Sequence, residues 1–262
     1  MFVYLTVPRL FKYRFGDLHI KCPAEDIRTL AEVFLLDVYR TYLIRRGDSV
    51  LDLGAGTGDF CIIASRKVQN EGRVIAIEPN PQDFKILVEN IEENNCKNVV
   101  AINVGVANTR GYRDISYSRK NFRCKIDTLE RILNTLDIDK TLDFIKMDIE
   151  GAEIEVVSSS MRLISQSRVL SLEFHGTKHE LDRLIVPYGY YFYPITMSHI
   201  CKNIVYNSLM FFSSFAKSLP TFIIQNREYI YQMFTGFEIT KESLLNGSYL
   251  KDEFQTTYPI YK

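Results

Sequence analysis

Short apolar segments alternate with amphipathic segments between residues 49 and 196, and this alternation restricts the possible folds more than any other feature. The apolar segments have the length and composition of strands that are buried on both faces. Strands joined by helices form right-handed crossovers within a parallel sheet. We therefore predict an α/β, Rossmann-like fold with a mostly parallel central sheet flanked by helices. The predicted strands are residues 49–53, 73–78, 98–103, 142–148, 168–175 and 190–196, and the predicted helices are residues 57–69, 81–94, 128–137, 151–165 and 178–186.

Segments with different patterns stand on both sides of this alternation. A loose alternation of apolar residues with a turn at Gly16-Asp17 predicts a hairpin, and helical spacing predicts a helix over residues 24–44. Beyond about residue 200 the chain is rich in aromatic residues and has no clear period. We predict three parts: a hairpin and helix extension (1–46), the α/β domain (47–200) and an aromatic-rich C-terminal appendage (201–262).

Composition argues against several classes of protein. Lys+Arg and Asp+Glu number 32 each, whereas proteins that grip long nucleic acids usually carry a basic excess. Nucleic acid is therefore an unlikely partner. The five cysteines include no CxxC pair, which disfavours both a zinc site and a disulfide framework. We expect a cytoplasmic protein without a secretory signal or a transmembrane segment. The apolar stretch 208–224 is interrupted by Lys217 and Pro220, but it could touch a membrane surface.

A glycine-rich turn follows the first predicted strand of the α/β domain. Its glycines follow a GxGxG pattern, directly after Asp52 and Leu53. Glycines let the backbone approach a ligand, and the helix behind them offers free N–H groups. A carboxylate at Asp52 suits a ligand with an ammonium group better than a pyrophosphate, and Glu78 at the next strand end can accept bonds from ribose hydroxyls. These features predict S-adenosyl-L-methionine as the cofactor, with its adenine beside Asn103 and Val104.

An acidic turn follows the fourth predicted strand. Asp148, Glu150 and Glu153 lie where the strand ends and a helix begins. The carboxyl ends of parallel strands meet at one edge, so Asp148 is expected to face the same crevice as the glycine turn. Glu150 and Glu153 could alternatively serve only to complement the helix N-terminus.

The segment Asp127-Thr128-Leu129-Glu130, followed by Lys146-Met147-Asp148-Ile149-Glu150-Gly151-Ala152-Glu153, resembles the FkbM family of methyltransferases. The resemblance covers about residues 25–195, including the segment 32–39 before the glycine turn. It implies a class I methyltransferase fold and transfer of a methyl group to oxygen, often on a sugar or polyketide hydroxyl. The chain departs from the family at Thr57, where an Asn is common, and beyond residue 200.

The chemistry of such a transfer needs a base near the acceptor. Methyl transfer depends mainly on alignment, but an alcohol must also lose its proton. His175, at the end of the fifth predicted strand, or Asp148 could accept that proton. Asp148, Glu173 and His175 could alternatively hold a divalent cation, although we predict no metal. The sequence also lacks the [DN]PP[YF] motif typical of amino-directed methylation, which favours an oxygen acceptor.

The preferred interpretation is a methyltransferase that acts on a small-molecule or glycan hydroxyl. Two alternatives remain: an RNA methyltransferase that uses the basic hairpin 110–125, and a non-catalytic module that binds the cofactor. A homodimer is also compatible with the sequence. The predicted catalytic residues are Asp148, His175 and Glu150, and the predicted cofactor-binding residues are Asp52, Gly54, Ala55, Gly56, Thr57, Gly58, Glu78, Pro79, Asn103 and Val104.

Overall fold

The computed structural model describes residues 10–23, 26–117, 120–136, 141–196, 198–200, 202–203 and 247–251. The strands are β1 (Leu10–Phe15), β2 (Leu18–Pro23), β3 (Ser49–Leu53), β4 (Arg73–Ile77), β5 (Val99–Ile102), β6 (Gly105–Val106), β7 (Gly111–Tyr117), β8 (Lys120–Asp127), β9 (Phe144–Met147), β10 (Val169–Leu172), β11 (Tyr190–Pro194) and β12 (Gly247–Lys251). The helices are α1 (Ile27–Ala31), α2 (Asp59–Val68), α3 (Pro81–Glu93), α4 (Leu129–Thr135), α5 (Glu153–Ile164) and α6 (Lys178–Ile185).

Seven strands form the central sheet, in the order β11-β12-β10-β9-β3-β4-β5. The five strands from β10 to β5 pair in parallel, as the alternation of strands and helices predicts. Strand β3 lies in the middle, with all five of its residues buried. Its side chains alternate between two cores: Val50 packs on one face of the sheet, and Leu51 and Leu53 pack on the other. The predicted α/β fold is confirmed.

One strand comes from the segment expected to be an appendage. Strand β12 lies between β10 and β11 and runs antiparallel to both. The assignment of residues 247–251 to a separate appendage is therefore wrong, because Tyr249 and Leu250 are buried within the sheet. Pairing with two distant strands determines this position, and periodicity along the chain does not show such pairing. The other limits of the three predicted parts stay predictions.

The predicted helix over residues 24–44 is interrupted. Helix α1 continues as a π-helical turn, Glu32–Leu36, and the chain then turns at Asp37, which has a left-handed φ of 49°. A second left-handed residue, Arg40, has a φ of 56°. Tertiary bonds hold this turn: the Arg40 guanidinium donates to the carbonyl oxygens of Tyr193 and Pro194. These contacts override the helical spacing of the sequence.

Smaller differences concern the ends of elements. Helix α4 is capped by Thr128, whose hydroxyl oxygen accepts from the N–H of Arg131 at 3.4 Å. The preceding residue, Asp127, forms ion pairs with Arg110 and Arg131. Strand β10 ends at Leu172, so the following residues 173–175 form a loop. The two predicted hairpins are confirmed as β1–β2 and β7–β8.

The stretch 208–224 lies outside the described residues, as does Cys201. The other four cysteines are buried. Among the described helices, none combines the length and the apolar character that crossing a membrane requires.

Candidate active site

A cavity of about 500 Å³ opens at the carboxyl ends of the parallel strands. It lies where open α/β sheets usually bind ligands, and its volume falls in the range of small-molecule sites. Its walls are formed by the loops after β3 and β4, by the loop after β9 (residues 148–152, the acidic loop) and by the β7–β8 hairpin. The part of the chain that precedes β3, called the N-terminal segment below, also contributes. The predicted site residues that line it are Gly54, Ala55, Gly56, Thr57, Glu78, Pro79, Val104, Asp148 and Glu150; Asp52, Gly58, Asn103 and His175 are not in contact with it.

The glycine turn begins with a position that only glycine can occupy. Gly54 has a φ of +76°, and a Cβ at this residue would lie 1.8 Å from the carbonyl oxygen of Asp148. The turn and the acidic loop after β9 are therefore in direct backbone contact. Gly58 is close-packed too, because a Cβ there would lie 2.6 Å from Leu87. The glycine turn is therefore closely packed against its neighbours while its backbone lines the cavity.

Glu78 places its carboxylate beside this turn. Its Oε2 accepts from the N–H of Gly56 at 2.7 Å, and its Oε1 accepts from the N–H of Asn80 at 2.8 Å. Burial raises the pKa of Glu78 to about 7. Asn103 supports this strand end from behind, since its side-chain amide donates to the carbonyl oxygen of Glu78 at 2.8 Å.

Asp52 lies beneath the cavity and pairs with Lys146, for which the sequence predicted no role. The ammonium of Lys146 lies 3.2 Å from Asp52 Oδ1 and donates to the carbonyl oxygen of Gly54 at 2.6 Å. Burial alone would lower the pKa of Lys146, but the carboxylates of Asp52 and Asp148 outweigh it and raise the pKa. The pair therefore fixes the glycine turn from below. A lysine within an apolar strand was the signal for this role.

Asp148 lies on the cavity wall and contacts an aromatic residue from the N-terminal segment. The hydroxyl of Tyr39 lies 3.0 Å from Asp148 Oδ2 and 3.2 Å from Glu173 Oε2. The single hydrogen of the Tyr39 hydroxyl can be donated to only one of these two carboxylates. Burial raises the pKa of Glu173 to about 7, so its carboxyl, when protonated, can donate a hydrogen to the second contact. The other oxygen, Asp148 Oδ1, is buried without a hydrogen-bond partner among the described residues. Asp148 thus keeps one acceptor unused.

His175 is held between two carboxylates. Its Nε2 lies 3.0 Å from Glu150 Oε2, and its Nδ1 lies 2.8 Å from Glu153 Oε1. Hydrogen bonds to Glu150 and Glu153 raise the pKa of His175 to about 11. The imidazole is therefore protonated at neutral pH and has no free nitrogen to accept a proton. Of the two candidate bases, this geometry favours Asp148.

The grouping that could hold a cation differs from the predicted one. Ligand atoms of Asp148, Glu150 and His175 lie within 4.8 Å of one another. Among the described residues, Glu150 thus joins Asp148 and His175 where the sequence suggested Glu173. Both imidazole nitrogens of His175 are already bound by the carboxylates of Glu150 and Glu153, so the histidine would have to give up one of these bonds to join a cation.

The basic hairpin forms a wall of the cavity. Arg113 makes a two-pronged ion pair with Glu155, with both distances 3.0 Å. Arg123 lies over the ring of Tyr112, 5.5 Å from its centroid. Arg119 is outside the described residues. The cavity face of this wall is mixed: Ile115, Phe122 and Ile126 are apolar, and Arg113, Asp114 and Ser116 are polar or charged.

Three of the residues that line the cavity come from the N-terminal segment, where the sequence predicted no site residue. They are Asp26, Thr29 and Tyr39. Tyr39 ends the segment 32–39 that resembles the family, whereas Asp26 and Thr29 belong to none of the motifs quoted above.

Comparison with known proteins agrees with this geometry. The family model of the methyltransferase FkbM domain matches residues 52–199, more than half of the chain. The chain is 26% identical over 157 residues to ribosomal RNA large subunit methyltransferase E of Methanothermobacter thermautotrophicus, covering 53% of this chain and 72% of the relative. It is 35% identical over 91 residues to a probable cobalt-precorrin-6B C(15)-methyltransferase (decarboxylating) of Saccharolobus solfataricus, covering 35% of this chain and 42% of the relative.

Among solved structures, a precorrin-6y C5,15-methyltransferase from Geobacter metallireducens is 18% identical, with a TM-score of 0.42 over 62% of this chain and 72% of that one. Several of the curated relatives match over less than half of their own length. The family model, the sheet order and the glycine turn together show that the chain belongs to the FkbM family of methyltransferases.

Proposed function

We propose that this protein is an S-adenosyl-L-methionine-dependent methyltransferase that methylates a hydroxyl of a sugar, glycan or other small molecule. One observation carries the proposal: Asp148 lines the cavity wall beside the glycine turn. A carboxylate in this position can accept the proton of an alcohol as the alcohol attacks.

The residues around the cavity fit the cofactor. The backbone of Gly54–Thr57 would hold its amino-acid part, Glu78 and Pro79 its ribose, and Val104 its adenine. Asp52, Gly58 and Asn103 would act from behind, by fixing the strand ends that these groups occupy. When bound, the cofactor would supply a methyl group activated by a sulfonium. Transfer of that methyl group to oxygen would turn the sulfonium into a neutral thioether, the leaving group.

The acidic loop would act on the acceptor. Asp148 takes the hydroxyl proton, while Glu150 and His175 hold the loop in place through their ion pair. We propose no metal for this step, so a chelating agent is expected to leave methyl transfer unchanged.

An RNA acceptor is the second candidate, because ribosomal RNA methyltransferases are among the relatives. The charges of the cavity support it less. Among the described hairpin residues, Arg113 is the one cation at the cavity wall, and it is bound by Glu155. Most other charged groups at the wall are acidic, which disfavours a phosphate backbone.

The experiment is isothermal titration with S-adenosyl-L-methionine, followed by a screen of methyl glycosides with the methyl-labelled cofactor. We expect one saturable site that Glu78→Ala weakens and that Glu89→Ala, outside the cavity, leaves unchanged. Labelled methyl ethers would then identify the acceptor. A folded wild-type protein that does not bind the cofactor would exclude the proposal. Labelling of RNA, reduced at high salt, would favour the second candidate instead.

A further inference from the structure

Tyr39 reaches the cavity from outside the segment that the family model matches. The match covers residues 52–199, whereas Tyr39 precedes β3 and belongs to the N-terminal segment. Its side chain is 2% exposed and nevertheless lines the cavity. Neither the glycine turn nor the acidic loop contains an aromatic residue that could replace it.

The backbone around Tyr39 is held in an unusual conformation. Asp37 and Arg40, on either side of it, both have left-handed φ values. Non-glycine residues adopt this conformation only where surrounding contacts fix it, and such residues cluster at functional sites. Here Asp37 Oδ1 accepts from the N–H of Thr41 at 2.7 Å, and the carbonyl oxygen of Asp37 lies 3.0 Å from His199 Nε2. The turn is therefore bonded on both sides of Tyr39.

The ring is fixed as firmly as the backbone. It packs edge-on against Phe60, with 5.7 Å between centroids, and the ammonium of Lys146 lies 5.2 Å from its centre. These contacts leave the hydroxyl pointing at Asp148 Oδ2 and Glu173 Oε2, at 3.0 Å and 3.2 Å. A hydroxyl bound to one carboxylate oxygen restricts the rotation of the whole carboxylate.

We propose that Tyr39 is a positioning residue that holds the Asp148 carboxylate in the orientation needed to accept the proton of the acceptor hydroxyl. The inference rests on the proposed function, in which Asp148 accepts the hydroxyl proton. Tyr39 itself need not contact the substrate. Its role is to bring the N-terminal segment into the site and to hold the base in one orientation.

The test compares Tyr39→Phe with the wild type. The variant keeps the ring and its packing on Phe60 but removes the hydroxyl. Crystal structures of both proteins with S-adenosyl-L-methionine should show the Asp148 carboxylate displaced by about 1 Å in the variant. With the acceptor from the glycoside screen, kcat should fall about tenfold or more. The cofactor Kd and its KM should stay within about twofold, because the hydroxyl makes no contact with the glycine turn.

A matched control is Tyr190→Phe. Tyr190 is also buried and donates to the carbonyl oxygen of Ile164, but it does not line the cavity. This variant should lower Tm while leaving Asp148 in place and kcat unchanged. A merely structural role for Tyr39 would make the two variants behave alike.

An unmoved Asp148 in Tyr39→Phe, or an unchanged kcat, would overturn the inference and leave the proposed function standing. So would a loss confined to cofactor binding. Failure of the wild type to bind the cofactor would instead overturn the proposed function, and the inference with it.

Discussion

The Nδ1 atom of His175 lies 2.8 Å from Oε1 of Glu153, a carboxylate that is fully buried. Glu153 Oε1 also accepts from the N–H of Gly151 at 2.9 Å. One carboxylate therefore joins the loop after β10 to the acidic loop after β9. The residue expected to be a base in fact links two loops of the site.

This link makes stability depend on pH. The pKa of His175 is about 11 in the folded protein, above the ordinary value of about 6.5. The contribution of His175 to the free energy of unfolding is therefore fully present below pH ~6.5 and is lost as the pH rises towards about 11. We expect Tm to fall with pH over this window, and to fall less in His175→Gln. Thermal unfolding from about pH 6 to 10 measures the difference, and equal slopes would contradict the prediction.

Removing the buried ammonium should destabilise the protein strongly. Lys146→Met leaves the buried carboxylate of Asp52 without its partner, which should cost about 3 kcal/mol or more. The double variant Asp52→Asn/Lys146→Met removes both charges and should recover much of that loss. Denaturant unfolding measures both values. Lys12→Met, which breaks a surface ion pair with Glu93, serves as the control and should change little.

The contact between the glycine turn and the acidic loop predicts unequal effects of two alanine substitutions. Gly54→Ala would force a Cβ against the carbonyl oxygen of Asp148, so we expect a loss of about 3 kcal/mol and displacement of the acidic loop. Gly56→Ala meets no atom within 4 Å among the described residues and should cost only the left-handed φ, about 1 kcal/mol. Equal losses in denaturant unfolding would show that the turn is not packed in this way.

Cofactor affinity should rise with pH through the titration of Glu78. Its pKa of about 7 leaves the carboxyl largely neutral at about pH 6 and largely ionised at about pH 8. The ionised form accepts hydrogen bonds from ribose hydroxyls more strongly. We expect the Kd for S-adenosyl-L-methionine to decrease severalfold over this range.

Calorimetry at both pH values measures this change in affinity. Glu78→Gln should bind more weakly and lose the pH dependence, whereas Glu89→Gln should keep it. A pH dependence that survives in Glu78→Gln would assign it to another group.

Local patterns along the chain were enough to predict the α/β class, the parallel strands and the position of the cavity. Apolar runs identify strands such as β3, and the residues that follow them meet at one edge of a parallel sheet. The presence of Gly54, Glu78 and Asp148 around one cavity could therefore be predicted.

The remaining features depend on contacts between distant parts of the chain. The insertion of β12 into the sheet, the contact of Tyr39 with Asp148 and the two ion pairs of His175 all join segments far apart in the chain. The protonation of His175 depends on those neighbours and not on its own motif. Its position at a strand end therefore predicted a proton acceptor, whereas the folded protein holds it as a cation between two carboxylates. Periodicity records which face of an element is buried, but it carries no information about which distant group the element meets there.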